Sequence, residues 1–558
     1  MKIMTHNREW LPHIENSIPE EARGYSVSMY SIALEGWRRG LTLKFINKNR
    51  RKSELYYSLS NQEKEHIFTV SRGDKISQEA MRICKNKHLT KEYLIKAGVP
   101  TPEGELFEKN VTADEMLNYA KKLGYPVVVK PLDGTGGTGV IANIRSDKEF
   151  KEALSFVRDD LKFTKVIVEK HYEGRGYRVF AIGDKVVGAF DRIPANVIGD
   201  GKNTVRELLR LKLVERDKNP ALFKRPIKED KEMYGLLRQK GYTMDSVPKT
   251  GERVFLKTSN NVSSGGDSID VTDKITDEVK DIAVRALKAI PNLAHAGIDF
   301  MVDEENNTSV ILEINTTASI RNHLFPNEGI ARDIPKAIID YYFPETKNYQ
   351  YDPNTLYYFD FGRVFELFSS GYAKEVVVPE HPKGEGEAVR FEVSGENLNN
   401  GYFRWIRQRA LKLRLNGYVK KMKNGNALIV ISGNTDNVNL FRMVIKKEMP
   451  STTTISNVVE KERKTPVKVG FEVQTTNSSS SVPNKATKPD GYAPVYLENY
   501  PGKKSSSTRK RRTTGTSTLR KERDLYRKKY NDMINSRSWK ITKPIRKIGS
   551  LIKNSKNN

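Results

Sequence analysis

Three β-branched residues in a row, Val127-Val128-Val129, read as a buried strand, and Lys130 stands where it ends. Two more apolar runs, 296–303 and 309–315, read as consecutive strands. Earlier, residues 30–40 read as a helix stopped by Gly40, and 41–45 alternate as a strand. Residues 74–98 read as helical up to Gly98, ahead of Pro100 and Pro102. Strands and helices then alternate from 111 to 190. A helix at 112–123 opens with the capping pair Thr112 and Glu115, and a strand at 166–168 ends at Glu169. Residues 203–245 are helical and highly charged. From 386 to 473 the pattern is strand (388–393), loop (395–401), basic helix (404–415), hairpin about Asn424-Gly425, helix (438–447) and a strand ending near Phe471. That βαββαβ order is ferredoxin-like. Residues 474–518 have the Ser, Thr and Pro content of a linker; Leu519, Tyr526, Tyr530 and Met533 then return at helical spacing.

These shifts divide the 558 residues into a preface (1–72), a main domain (73–345), a connector (346–385), the ferredoxin-like unit (386–473), a linker (474–518) and a basic helical tail (519–558). The net charge of +27 sits mainly at the end: residues 501–558 carry nineteen Lys and Arg against three Asp and Glu. It therefore says little about the main domain. No apolar run approaches a membrane span, and the first residues lack a signal peptide's apolar stretch. Cys84 is the only cysteine, which excludes an internal disulfide and fits a reducing cytoplasm. The eight histidines show no zinc-ligand spacing.

Two stretches carry candidate chemistry. After Lys130 comes a loop with Gly134, Gly136, Gly137 and Gly139. Glycines let backbone N–H groups approach an anion, and the lysine suits a phosphate; the spacing is not that of a P-loop. The plain alternative is a glycine-rich hairpin turn. In the strand pair, Glu313 and Asn315 share a face, and Asp299 on the neighbouring strand can join them. Three oxygen ligands facing a phosphate loop suit Mg²⁺ (or Mn²⁺) and a nucleotide, although strands also often end in polar turn residues.

The run 130–140, followed by 166–170, Asp299 and Glu313-Ile314-Asn315, resembles an ATP-grasp ligase. The pattern is similar to cyanophycin synthetases and the ligase part of bifunctional glutathione synthetases. Also matching are 194–202, Asn261-Val262-Ser263-Ser264-Gly265-Gly266, and 321–329, so the resemblance covers roughly 70–345. It implies an α+β / α/β architecture in which two α+β subdomains grip ATP. It implies that Lys87 and Lys130 contact phosphates and that Glu169, Lys170 and Tyr172 form the hinge reading adenine. It places Gly176 where related D-alanine ligases carry a ribose-binding acid, leaving either Glu173 for the ribose or weaker ribose binding. Arg178 and Lys257, expected on strands, would neutralise phosphate or acyl phosphate, unless they are surface cations. Ser263, Ser264, Gly265, Gly266 and His323 would bind substrate, and Arg321 an anionic acceptor.

The unit at 386–473 resembles acylphosphatase, with Arg404 in the place of that family's catalytic arginine. The loop is one residue longer, and Lys421 replaces the asparagine that orients water. An ammonium has no acceptor for that task, so the resemblance implies anion binding rather than hydrolysis. The tail mixes Trp539 and Ile with Lys and Arg and resembles the tails of bacterial glycosyltransferases of surface polymers. It suits peripheral contact with the inner membrane face or an anionic polymer, or else a solubilising tail. No nucleic-acid module is visible. The expected function is ATP-dependent ligation of a small or polymer-linked carboxylate to an amine, for an envelope polymer, with an oligomer compatible. The halves that complete cyanophycin synthetase and the bifunctional glutathione enzyme are not recognisable, so neither product is expected. The alternatives are an acyl-phosphate hydrolase whose ATP-grasp part only binds nucleotide, and a scaffold for anionic polymer.

Overall fold

The computed structural model describes residues 8–48, 55–134, 138–306, 308–350, 352, 356–371, 373–383, 386–448 and 450–474. Gly136, Gly137 and the basic tail, like nearly all of the expected linker, lie outside them.

The valine run forms the inner strand Val127–Pro131 of a four-stranded antiparallel sheet. Its neighbours are Val166–Lys170, with Gly104–Phe107 beyond, on one side and Ile141–Ile144 on the other. Helix Ala113–Leu123 covers one face, opened by the expected Thr112/Glu115 capping box. The apolar positions of both elements form a core of their own around Met116, Val127, Val129 and Phe150.

The second sheet has five antiparallel strands in the order Asp267–Asp270, Lys185–Ile193, Arg175–Ile182, His295–Asp303, Thr308–Asn315. Helix Asp277–Ala289 packs its apolar stripe, Val279, Ile282, Ala283 and Ala286, on one face. The other face carries the polar residues discussed below. The stretch read as one helix, 74–98, is two: Gln78–Lys85 and Lys87–Lys96. Asn86 breaks it by taking an extended conformation and accepting hydrogen bonds from the His88 and Leu89 amides. Lys87 is therefore the first residue of a helix.

The preface folds as helix Val27–Arg38 over an antiparallel sheet, with the helix ending ahead of Gly40 (φ +84°). Its strand Thr42–Asn47 pairs on its outer edge with Glu375–Val377, a strand from the connector. Trp37 Nε1 donates to the Pro379 carbonyl at 2.7 Å, and Arg38 donates to the Tyr357 carbonyl at 2.8 Å. Preface, connector and helix Ile334–Tyr342 share one hydrophobic core.

The ferredoxin-like unit has the sheet order Thr454–Glu462, Gly386–Glu396, Ala427–Asn434, Asn416–Lys421, Phe471–Gln474. Its two helices are Asn400–Lys412 and Thr435–Lys447. The fourth strand of the motif is Thr454–Glu462, an edge strand exposed at most positions, rather than one ending near Phe471. Phe471–Gln474 is a fifth strand, parallel to Asn416–Lys421.

Candidate active site

The cleft between the first two sheets is where the sequence-derived residues meet. Lys130 lies on Val127–Pro131, and Val128 pairs with Glu169 across the ladder, so Lys130 and Glu169 share a face. Their side chains form an ion pair, Glu169 being buried. Lys91 approaches the other Glu169 oxygen at 3.8 Å and donates to the Gly104 carbonyl at 3.3 Å. Lys87 donates to the Gly134 carbonyl at 2.7 Å, tying the glycine loop to the helix. A side chain at Gly134 would meet Pro131 Cγ at 2.6 Å, so the tight turn requires glycine there. Lys87, Lys91, Lys130, Glu169 and Glu313 all line this cleft. Burial lowers the Lys87 and Lys91 ammonium groups from their ordinary values; Glu313 opposes this at Lys87 and Glu169 at Lys91. Two desolvated lysines beside a third form a site that an anion would stabilise.

On the opposing sheet Asp299 pairs with Glu313, and Gly297 with Asn315. Asp299 Oδ1 accepts from Arg178 Nε and from Arg192 Nη2, while Oδ2 accepts from Arg178 Nη2 at 3.0 Å. A carboxylate oxygen has two lone pairs, so Oδ2 keeps one. Among the described residues, Glu313 and Asn315 make no side-chain hydrogen bond or ion pair, and both are half-buried. One free lone pair, a carboxylate and an amide oxygen on one sheet face form a hard oxygen donor set that fits Mg²⁺ or Mn²⁺. No group of three or more His, Cys, Asp or Glu side chains gathers as a metal site among the described residues.

After a short connection from strand Thr308–Asn315, Arg321 begins the helix Arg321–Leu324. It is buried and donates to Ser263 Oγ at 3.1 Å. The loop bearing Ser263 is a 3₁₀ turn, Val262–Ser264, whose entry is shaped by Asn261 accepting from the Ser263 amide. Gly265 (φ +126°) closes it, and a side chain at Gly266 would meet the Ile193 carbonyl at 2.7 Å. Ser264 is exposed and donates to the Asn261 carbonyl at 3.0 Å. Arg216, on helix Val205–Lys218, holds the loop from beneath through the Gly266 carbonyl (3.0 Å) and Asp267 (3.3 Å). The preface reaches the segment ahead of Arg321: Ser71 donates to the Ala318 carbonyl, Arg72 to Thr317, and Ser28 accepts from the Ile320 amide.

Four residues sit otherwise than expected. Lys257 lies just beyond the short strand Arg253–Phe255, and its ammonium is bound by Asp230 and Glu232. Lys170 is turned from the cleft, donating to the Gly124 carbonyl at the end of helix Ala113–Leu123. Glu173 is exposed and paired with Arg145. His323 is buried against Phe180 and Phe190, and neither ring nitrogen has a hydrogen-bond partner among the described residues. Burial, with the nearby Arg178, Arg192 and Arg332, pulls its pKa down to about 3. Tyr172 is half-buried at the hinge position.

Sequence reasoning missed Lys91 and Arg192. Lys91 was readable: it follows Lys87 by four residues and so shares its helix face. Arg192 gave no local signal, because only strand pairing brings it to Asp299.

In the ferredoxin-like unit, Asn399 caps helix Asn400–Lys412 with its own side chain, accepting from the Gly401 and Tyr402 amides. Those amides are thereby occupied. Arg404 is exposed and donates to the Asn400 carbonyl at 3.3 Å; Lys421 is exposed at a strand end.

Residues 84–202 match the RimK-like ATP-grasp domain family, and residues 389–473 the acylphosphatase family. The chain is 33% identical over 332 residues to a cyanophycin synthetase of Nostoc, covering 58% of this chain and 35% of that protein. It is 30% identical over 343 residues to a glutathione biosynthesis bifunctional protein of Desulfotalea psychrophila, covering 59% of this chain and 42% of that protein. A solved bifunctional glutathione synthetase from Pasteurella multocida aligns with a TM-score of 0.43 at 27% identity, over 52% of this chain and 41% of that one. The chain thus spans well under half of these curated relatives. It joins an ATP-grasp fold to an acylphosphatase-like domain. Among the described residues no helix is long and apolar enough to cross a membrane.

Proposed function

We propose that this protein is an ATP-dependent ligase that joins a carboxylate to an amine through an acyl phosphate. One observation carries the reading: Glu313, whose strand neighbour is Asp299, lines the same cavity as Lys87, Lys91 and Lys130. A triphosphate in that cleft meets cations from helix Lys87–Lys96 and strand Val127–Pro131 on one side and oxygen donors from the second sheet on the other.

A carboxylate is a poor electrophile because oxide would have to leave. Transfer of the γ-phosphoryl group gives a mixed anhydride; the amine attacks its carbonyl carbon, phosphate leaves, and an amide remains. Positioning and charge neutralisation supply most of the rate. Lys87 and Lys130 bind the phosphates. Asp299, Glu313 and Asn315 would hold a Mg²⁺ or Mn²⁺ ion, which would supply neutralisation of triphosphate charge. Arg178 and Arg192 hold Asp299 in place. Arg321, backed by Ser263, receives the acceptor's carboxylate. Glu169 fixes Lys130 and marks the edge of the adenine hinge.

The substrate pair is a small or polymer-linked carboxylate with an amine, and an envelope polymer remains the proposed setting. The hydrolase alternative is disfavoured because Asn399 occupies the amides of the cradle and Lys421 supplies no acceptor for water.

The test is ADP release by the purified protein against paired amino acids and uronic-acid sugars, with Lys130→Ala as the control. Turnover above the control is expected for at least one pair. Turnover at the control level for every pair would remove the ligase assignment.

A further inference from the structure

Glu169 is one carboxylate shared by two lysines. Lys130 pairs with its Oε1, and Lys91 stands 3.8 Å from its Oε2. All three side chains are shielded from water: that of Glu169 is 6% exposed and each lysine's 12%. Among the described residues, no other carboxylate lies within ion-pair distance of either lysine. On the ligase reading Lys130 binds phosphate, yet Lys130 is already the ion-pair partner of Glu169. One positive charge cannot neutralise both, and a buried carboxylate left without a counter-charge is strongly disfavoured.

The fold fixes the place of Lys91. Asn86 caps helix Lys87–Lys96, and Thr90 donates to the Ile83 carbonyl at 2.8 Å, locking this helix to the one before it. Lys91 follows Lys87 by about one turn, so both reach the same cleft. Their hydrogen bonds differ. Lys87 holds the Gly134 carbonyl of the glycine loop, whereas Lys91 holds the Gly104 carbonyl at 3.3 Å. Gly104 is the ladder partner of Glu169, so Lys91 is fastened to the strand that flanks the carboxylate.

We propose that Lys91 is a positioning residue: it supplies the counter-charge of Glu169 and so leaves that of Lys130 to the nucleotide's phosphates. Glu169 then keeps a cation beside it whether or not a nucleotide is bound. The effect is confined to ligands that carry phosphate, because a nucleoside makes no demand on the charge of Lys130. Lys87 does not substitute, since its ammonium is turned to the Gly134 carbonyl. The inference rests on the ligase reading, which places the phosphates at Lys130.

The test is calorimetric titration of the full-length protein with ADP and Mg²⁺ and, separately, with adenosine. Lys91→Met keeps the length of the side chain and removes its charge. It should weaken ADP binding at least about tenfold and leave adenosine within about twofold of wild type. In the Glu169→Gln background the need for a counter-charge is gone, so adding Lys91→Met should change ADP affinity by no more than about twofold. Adenosine affinity reports folding; should the methionine form fail to fold, Lys91→Gln, which keeps a donor for the Gly104 carbonyl, decides. Wild-type ADP affinity in a folded Lys91 variant overturns the proposal, and so do equal losses for ADP and adenosine. A loss that persists in the Glu169→Gln background also overturns it, by making Lys91 a direct phosphate ligand. Failure of the ligase reading looks different: Lys130→Ala would then bind ADP as well as wild type does, which removes that reading and this inference with it.

Discussion

Asp299 and Glu313 stand directly opposite one another on antiparallel strands, and the ladder slips by one residue immediately beyond them. Phe300 pairs with Ile311, leaving Leu312 as the bulged residue. Bulges re-aim side chains next to functional sites. Asp299→Asn and Glu313→Gln should each lower ADP formation on the order of 100-fold, as loss of a charge-stabilising group does. The Glu313 variant should keep the wild-type melting temperature, because its carboxylate makes no hydrogen bond or ion pair among the described residues. Steady-state ADP assays over a range of Mg²⁺ concentrations check both.

The Glu169 end of the cleft depends on a close backbone approach. Gly104 pairs with Glu169, and a side chain at Gly104 would come 2.4 Å from both Glu169 Cβ and the Val168 carbonyl. Gly104→Ala must therefore push Glu169 away from Lys130 and Lys91. Overpacking of this kind costs about 1–3 kcal/mol. ADP affinity should fall about tenfold or more, read by equilibrium titration. An unchanged affinity would show that Glu169 has no part in nucleotide binding.

Much of this site could be read from residues alone because its determinants are local. The valine run, Lys130 and the Glu313-Ile314-Asn315 face follow from strand periodicity, and Thr112 with Glu115 follows from capping. What escaped is mostly set by distant partners. Thr454–Glu462 is an exposed edge strand rich in charge, so its pattern looks like a loop. Glu375–Val377 is a strand only because Thr42–Asn47 offers it an edge. The break at Asn86 was legible in principle, since asparagine ahead of a helical run is a good cap, but apolar spacing carried across it.

Two buried histidines make stability depend on pH. Burial pulls His295 and His323 down to about 3, whereas unfolded histidine titrates near 6.5. The unfolded chain therefore binds more protons between those values. The contribution is complete above about pH 6.5 and is lost as pH falls toward 3. The limiting slope is about 1.4 kcal/mol per pH unit for each histidine. Urea midpoints should drop between pH 7.5 and 5.5, and His323→Phe should flatten that drop. Equal slopes for the two proteins would mean that the ring is hydrated.

The acylphosphatase-like unit gives a contrast between stability and activity. Asn399→Ala removes the cap of helix Asn400–Lys412 and should cost about 1 kcal/mol, seen as a lower denaturation midpoint. Acetyl phosphate hydrolysis should stay at background in the wild type and in Arg404→Ala. Rapid phosphate release by the wild type that Arg404→Ala abolishes would restore the hydrolase reading.

The connector strand has a consequence for biosynthesis. Trp37 and Pro379 are 342 residues apart in the chain, yet they bond where the preface sheet gains its outer strand. At ribosomal speeds of roughly 5–20 residues per second, the Thr42–Asn47 edge waits on the order of tens of seconds for that strand to emerge. During translation it is an open template for other β-structure, so a nascent chain stalled before residue 375 should be the species that chaperones capture.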